Sequence, residues 1–127
     1  MASVVLDASA ILAVYLLENG ADQVAPVLQS AAVCAVNIEE VLVKLADKGA
    51  TARVGQIAEA TLKHLAVAYD FDLARRAARL RPLTRHLGLS LGDRACLALA
   101  AREGLPVVTA DRAWAKLDIG VEIRLIR

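Results

Sequence analysis

Four acids in this chain stand where apolar runs end. Asp7 follows Val4-Val5-Leu6, Glu40 lies just past the run Ala32 to Val36, Asp93 comes three residues after Ser90, and Asp111 follows Val107-Val108-Thr109-Ala110. Neither soft nor nitrogen donors accompany them. Cys34 and Cys96 show no CxxC or Cys/His ligand spacing, which makes them buried, reduced, structural thiols and excludes a zinc site. His64 and His86 sit beside no nucleophile motif and read as helix-end residues. Carboxylates alone select a hard ion, Mg²⁺ or Mn²⁺, and like charges brought together raise one another's pKa unless a cation neutralises them. Such an ion polarises a phosphoryl oxygen and activates water, which is the chemistry of phosphoester hydrolysis. No GxxxxGK[ST] or GxGxxG loop is present to cradle a nucleoside triphosphate or a dinucleotide.

Each acid also has a purely structural explanation. Asn37-Ile38-Glu39-Glu40 and Ser90-Leu91-Gly92-Asp93 are both written like capping boxes, with Asn37 as the cap of its helix, and Asp111 is placed to cap a short helix after it. Asp7 is the acid that capping explains least. The case for a site therefore rests on convergence, which depends on the elements that carry the four residues.

Ser3 to Leu6 reads as a buried strand and Ala8 to Leu17 as a helix ending near Asn19-Gly20. A second helix is expected over Ala21 to Ser30, a strand over Ala32 to Val36, a helix from Asn37 to Lys48, and another capped by Thr51 and reaching His64. Leu65 to Ala68 is a third strand, and Asp70 to Leu87 is helical with a break expected just before Pro82. Ser90 opens a helix through Glu103, Val107 to Thr109 is a strand, and Val121 to Ile126 is the last. Strands alternating with helices call for parallel pairing and right-handed crossovers. The expected fold class is α/β, one domain over residues 1–127 with an open, mostly parallel sheet of four to five strands and helices on both faces. In such sheets sites form at the carboxyl ends of the strands, where Asp7, Glu40 and Asp111 fall, and the start of the Asp93 helix faces the same edge.

Composition agrees. Hydrophobic residues are 57% of the 127 but aromatics only 3%, so the core is built of Ala, Leu and Val, a mixture suited to helices packed on a Val-rich sheet. The longest apolar stretches fall short of the roughly 20 residues of a membrane span. With no basic residue before Lys44, the start lacks a signal-like n-region, and the expected location is cytoplasmic, with no membrane partner. Residues 1–50 carry two Lys and six acids, a balance of −4, and residues 51–127 carry thirteen Lys or Arg and eight acids, +5. An acidic site facing a basic rim fits that asymmetry, although overall charge makes no case for nucleic acid.

Four segments, VVLDASA, AVNIEEV, LSLGDRACLALA and VVTADRAW, together resemble the PIN-domain family along the whole chain, and most closely the VapC-type toxins of bacterial type II toxin–antitoxin pairs. The resemblance implies a Mg²⁺- or Mn²⁺-dependent endoribonuclease that cuts RNA, is neutralised by a cognate VapB-like antitoxin, and forms a homodimer. It makes Asp7, Glu40, Asp93 and Asp111 the catalytic, metal-holding cluster, with Asp7 and Asp93 the firmest ligands and Glu40 chosen over Glu39 by the N-x-x-E-V form. Some relatives carry a further acid or Asn just past the Asp111 position, where this chain has Ala113 and Trp114.

Supporting roles follow from the same segments. Ser9 and Thr109 are placed to hydrogen-bond the carboxylates. Arg94 and Arg112, each following one of the acids, are candidates for RNA phosphate contacts, whereas Arg75, Arg76, Arg79, Arg81 and Arg85 read as a solvated face. Trp114 is expected as a core anchor with its indole N–H satisfied. The Ala-, Val- and Leu-rich helices between Ala21 and His64 are the expected antitoxin groove. The alternatives are a PIN-like binding or dimerisation module and a haloacid-dehalogenase-like phosphatase; the latter needs an acid where Ser9 stands.

Overall fold

The computed structural model describes residues 1–127. Its sheet is built from β1 (Val4–Leu6), β2 (Ala31–Cys34), β3 (Ala66–Val67), β4 (Val107–Thr109) and β5 (Ile123–Leu125), in the order β3-β2-β1-β4-β5. Every pairing is parallel, with Val5 facing Ala32 on one side and Val107 on the other. The six α-helices are α1 (Ala8–Tyr15), α2 (Ala21–Val24), α3 (Ala35–Asp47), α4 (Ala52–Lys63), α5 (Phe71–Thr84) and α6 (Leu91–Glu103).

The two-residue period of β1 splits the interior. Val4 and Leu6 pack on one face with Ile11, Val41, Leu45 and Leu62, from α1, α3 and α4. Val5 packs on the other with Leu73, Leu97, Leu99 and Trp114, so α5, α6 and the turn after β4 cover that face. The α/β class with helices on both faces stands as expected, and the sheet is parallel throughout rather than mostly so.

Local differences have local causes. The segment from Ala21 is an α-helix only to Val24; Pro26 lies at the start of a 3-10 turn, Ala25–Ser30, because proline supplies no N–H to carry the α-helical ladder onward. The strand expected to Val36 ends at Cys34, and α3 begins at once with Cys34 in the capping position, so Asn37 lies inside the first turn and is not the cap. No break precedes Pro82. Helix α5 continues to Thr84, because a proline so near the C-terminus leaves only the last turn to disturb, and Thr84 Oγ1 donates to Leu80 O at 2.8 Å there. The terminal strand is confined to Ile123–Leu125 and the helix after Asp111 is a 3-10 turn, Arg112–Lys116. Trp114 is fully buried, but its Nε1–H has no hydrogen-bond acceptor, contrary to the expected satisfied indole.

No helix is long and apolar enough to cross a membrane. Cys34 and Cys96 are buried free thiols, and burial pushes both above the usual thiol range, the character of inert core residues.

Leu6, fully buried at the end of the central strand, is the residue whose truncation should be felt most directly at the sheet's carboxyl edge. Leu6→Ala is expected to lower unfolding free energy by about 2–5 kcal/mol, measured as a shift of the urea midpoint at unchanged slope.

Candidate functional site

Because the strands are parallel, β1, β2 and β4 deliver their following residues to one edge, and α6, running back against them, brings its N-terminus there. Asp7, Glu40, Asp93 and Asp111 line one cleft of about 200 Å³ at that edge, together with Ala8, Ser9, Leu12 and Lys44. The convergence expected from sequence is present.

Asp7 is the anchor. It occupies the position before α1 yet its side chain caps nothing. Its Oδ2 accepts from Ser9 Oγ at 2.7 Å and from Thr109 Oγ1 at 2.8 Å. Each hydroxyl in turn accepts a backbone N–H of the strand exit: Ser9 Oγ from Ala110 at 2.9 Å, Thr109 Oγ1 from Asp111 at 3.0 Å. With their only protons given to Asp7, the two hydroxyls at 3.3 Å from each other are neighbours rather than partners. Asp7 and Thr109 are both buried.

Glu40 also lacks a capping role, since its helix starts too early for one. Its Oε1 accepts from Asn37 Nδ2 at 2.7 Å, and the same nitrogen donates to Gly92 O at 3.0 Å. Gly92 lets α6 lie against this carboxylate: a Cβ there would overlap Glu40 Oε1. Asp93 and Asp111 do cap. Asp93 Oδ2 takes the Ser90 N–H at 3.0 Å while Ser90 Oγ takes that of Asp93, a complete capping box, and Asp111 Oδ1 takes the Ala113 N–H at 3.0 Å. Each of these two acids keeps its other oxygen out of the cap.

Electrostatics set Asp7 and Glu40 apart. Burial pushes the Asp7 carboxyl above the usual carboxylate range; the Ser9 and Thr109 hydroxyls pull it back and the charge of Asp93 adds to the rise. Burial raises Glu40 too, with the Asn37 bond opposing, Asp7 and Asp93 adding, and Lys44 opposing. The cleft thus gathers negative charge that its own residues do not neutralise, and its donors are oxygen only, a set that fits a hard divalent cation. No three of the acids stand together as a finished ligand cage.

Of the arginines, Arg94 Nη1 donates to Leu89 O at 2.7 Å, whereas Arg112 is exposed on the turn beside Asp111. The run on α5 is exposed as expected, and Arg75 and Arg76 bind Asp72, holding its carboxyl at about 2. Sequence reasoning missed three contributors: Asn37 as a bridge, Gly92 as a spacer and Lys44 as the cation of the cleft. The i, i+3 spacing of Asn37 and Glu40, and a glycine beside an acid in a helix's first turn, were the available signals.

The sequence model of the PIN domain matches residues 4–120, and the chain belongs to that family. No curated protein sequence matches it. Its fold is similar to the DNA-bound VapBC complex of Salmonella typhimurium, at 18% identity over 100% of both chains with a TM-score of 0.79. It is also similar to VapBC-5 of Mycobacterium tuberculosis, at 29% identity over 98% of this chain and 99% of that one, TM-score 0.65. VapC20 of Mycobacterium tuberculosis, a toxin that cleaves the sarcin-ricin loop, is similar at 16% identity over 94% of this chain and 99% of that one, TM-score 0.73.

The raised proton affinity of Asp7 has a measurable sign. The folded chain holds this proton to higher pH than the unfolded chain, so stability falls as pH climbs from the ordinary value of 3.8 through the folded one. Asp7→Asn keeps an oxygen for Ser9 and Thr109 and removes the charge. In chelator at pH 7 it should melt above the unaltered chain, with the gap closing as pH falls below 3.8; an equal or lower melting temperature at pH 7 rejects the assignment.

Proposed function

We propose that this chain, acting as one PIN-like unit over residues 1–127, is a VapC-like toxin: a Mg²⁺- or Mn²⁺-dependent endoribonuclease neutralised by a VapB-like antitoxin. The observation that carries this is the gathering of Asp7, Glu40, Asp93 and Asp111 in one cleft at the carboxyl edge of a parallel sheet. Membership of the PIN family and the fold shared with VapBC complexes support it.

In this reading Asp7 and Asp93 hold the metal most directly, with Glu40 and Asp111 completing the set. The bound ion supplies polarisation of a phosphoryl oxygen and a more acidic water. Ser9 and Thr109 keep the Asp7 carboxylate in one rotamer, so its remaining oxygen is available without reorganisation. Glu40 Oε2, outside the Asn37 bond, is the oxygen this residue would offer to the metal. Water attacks phosphorus and gives up its proton to solvent; the new P–O bond forms as the bond to the departing sugar oxygen breaks, and that oxygen takes a proton from solvent. Arg112, exposed next to Asp111, and Arg94, through the donors it does not give to Leu89 O, hold flanking RNA phosphates, and Lys44 offsets charge at the Glu40 end.

The antitoxin docks along the helices between Ala21 and His64, where an aliphatic hollow between α3 and the start of α6, formed by Val36, Val43 and Leu91, adjoins the acidic cleft through Glu40 and Lys44. The toxin acts as a homodimer in the cytoplasm. A second reading, a PIN-like module that binds without cutting, is favoured by two observations: Asp93 and Asp111 each spend an oxygen on a cap, and no three acids form a finished cage.

Structured RNAs incubated with the purified chain and Mn²⁺ should give discrete cuts that vanish with chelator and fall at least about a hundredfold in Asp7→Asn and Asp93→Asn. Mn²⁺ should also raise the melting temperature, by mass action on the native state. A melting shift without any cutting would favour the binding module; cutting that persists in both variants would reject the assigned site.

A further inference from the structure

Asn37, like Thr109, is a fully buried polar residue that bonds one of the acids without capping a helix or belonging to the acidic set. Its Nδ2 reaches two acceptors on different elements, Glu40 Oε1 on its own helix at 2.7 Å and Gly92 O at the start of α6 at 3.0 Å. Among uncharged side chains only an amide nitrogen can serve both. A hydroxyl has one proton to give, and the flipped amide would set Oδ1 against two oxygens. The remaining atom, Oδ1, is buried with no partner, which destabilises the folded chain relative to an aliphatic residue of the same shape. A residue chosen for packing would not be this one.

The partner at the far end of the bridge fits the same purpose. Gly92 is buried in the first turn of α6, where alanine is the better helix former, yet a Cβ at this position would collide with Glu40 Oε1 and come within 2.7 Å of its Cδ. The glycine leaves the space in which Asn37 holds the carboxylate, and the next residue along is Asp93. The bridge therefore spans from Glu40 to the backbone immediately before Asp93.

We infer that Asn37 and Gly92 act together as a positioning clamp, which sets the Glu40 carboxylate against the start of the Asp93 helix and so fixes the spacing of the metal-holding acids. The inference rests on the proposed metal site and goes beyond its four acids. Neither residue touches the metal or the RNA; both work through Glu40.

The test is Mn²⁺ affinity, read from the electron paramagnetic resonance of the free ion, on the full chain without RNA. Asn37→Leu and Gly92→Ala should each weaken binding about tenfold. In chelator, Gly92→Ala should keep the circular dichroism of the unaltered chain, and it decides the matter alone if Asn37→Leu does not fold. In a Glu40→Ala background, which removes the side chain that both residues act on, neither substitution should weaken binding further, an outcome that a general loss of packing would not produce. Unchanged affinity in folded variants, or a loss that persists in the Glu40→Ala background, overturns the clamp while leaving the metal site in place. An unaltered chain that takes up no Mn²⁺ overturns the metal site and the clamp with it.

Discussion

The structure turns on a carboxylate buried at the meeting of two strands. Asp7 leaves β1 into the interior rather than into water, and the Ser9 and Thr109 hydroxyls that satisfy it also satisfy the backbone N–H groups of Ala110 and Asp111. One small network thereby ties the exit of β1 to the exit of β4, a hundred residues later in the chain. Without the carboxylate the hydroxyls lose their acceptor; without the hydroxyls the carboxylate is desolvated and unpaired. Site and fold share the same atoms here, and the burial that raises the Asp7 proton affinity also prepares it for a cation.

The other half of the cleft is made by close approach rather than by a strand junction. Helix α6 carries buried Gly92, Ala95, Ala98 and Ala100, small residues that let it lie deep against the sheet and against α3. At its first turn this closeness becomes the Glu40–Asn37–Gly92 contact. Asp93 and Asp111 then enter the cleft while still serving as caps, so the structural and the chemical explanations of these two acids are compatible. A carboxylate has two oxygens, and a cap needs only one.

Sheet order explains why four acids so far apart in sequence meet. With β1 central and β2 and β4 on either side, the three exits that matter lie next to one another. Crossovers through α1 on one face and α6 on the other keep both faces covered, and the edge strands β3 and β5 carry none of the four acids. The basic residues of the second half are distributed differently: most of the arginine run faces solvent on α5, and Arg112 stays beside the cleft.

The pattern of Val-rich runs, capping residues and glycines was enough to read the alternation of strands and helices, the α/β class and the four acids, because each is a local signal whose neighbours in sequence decide it. Thr51, Ser90 and Gly88 act at their helix ends as their types require. Asn37 looked like a cap by the same rules and is not one, since β2 runs into α3 without a loop and the helix begins two residues before it. Its Asn side chain, the glycine at position 92 and Lys44 acquire their meaning only where α3 meets α6. Trp114 likewise is legible as core, but whether its N–H finds an acceptor depends on what surrounds it. Sequence alone determined which residues could end a strand or start a helix with an acid, since those preferences act over a few bonds. Only the tertiary structure decided which oxygens are buried, bridged or left free, because desolvation and hydrogen bonding depend on groups brought together from distant parts of the chain.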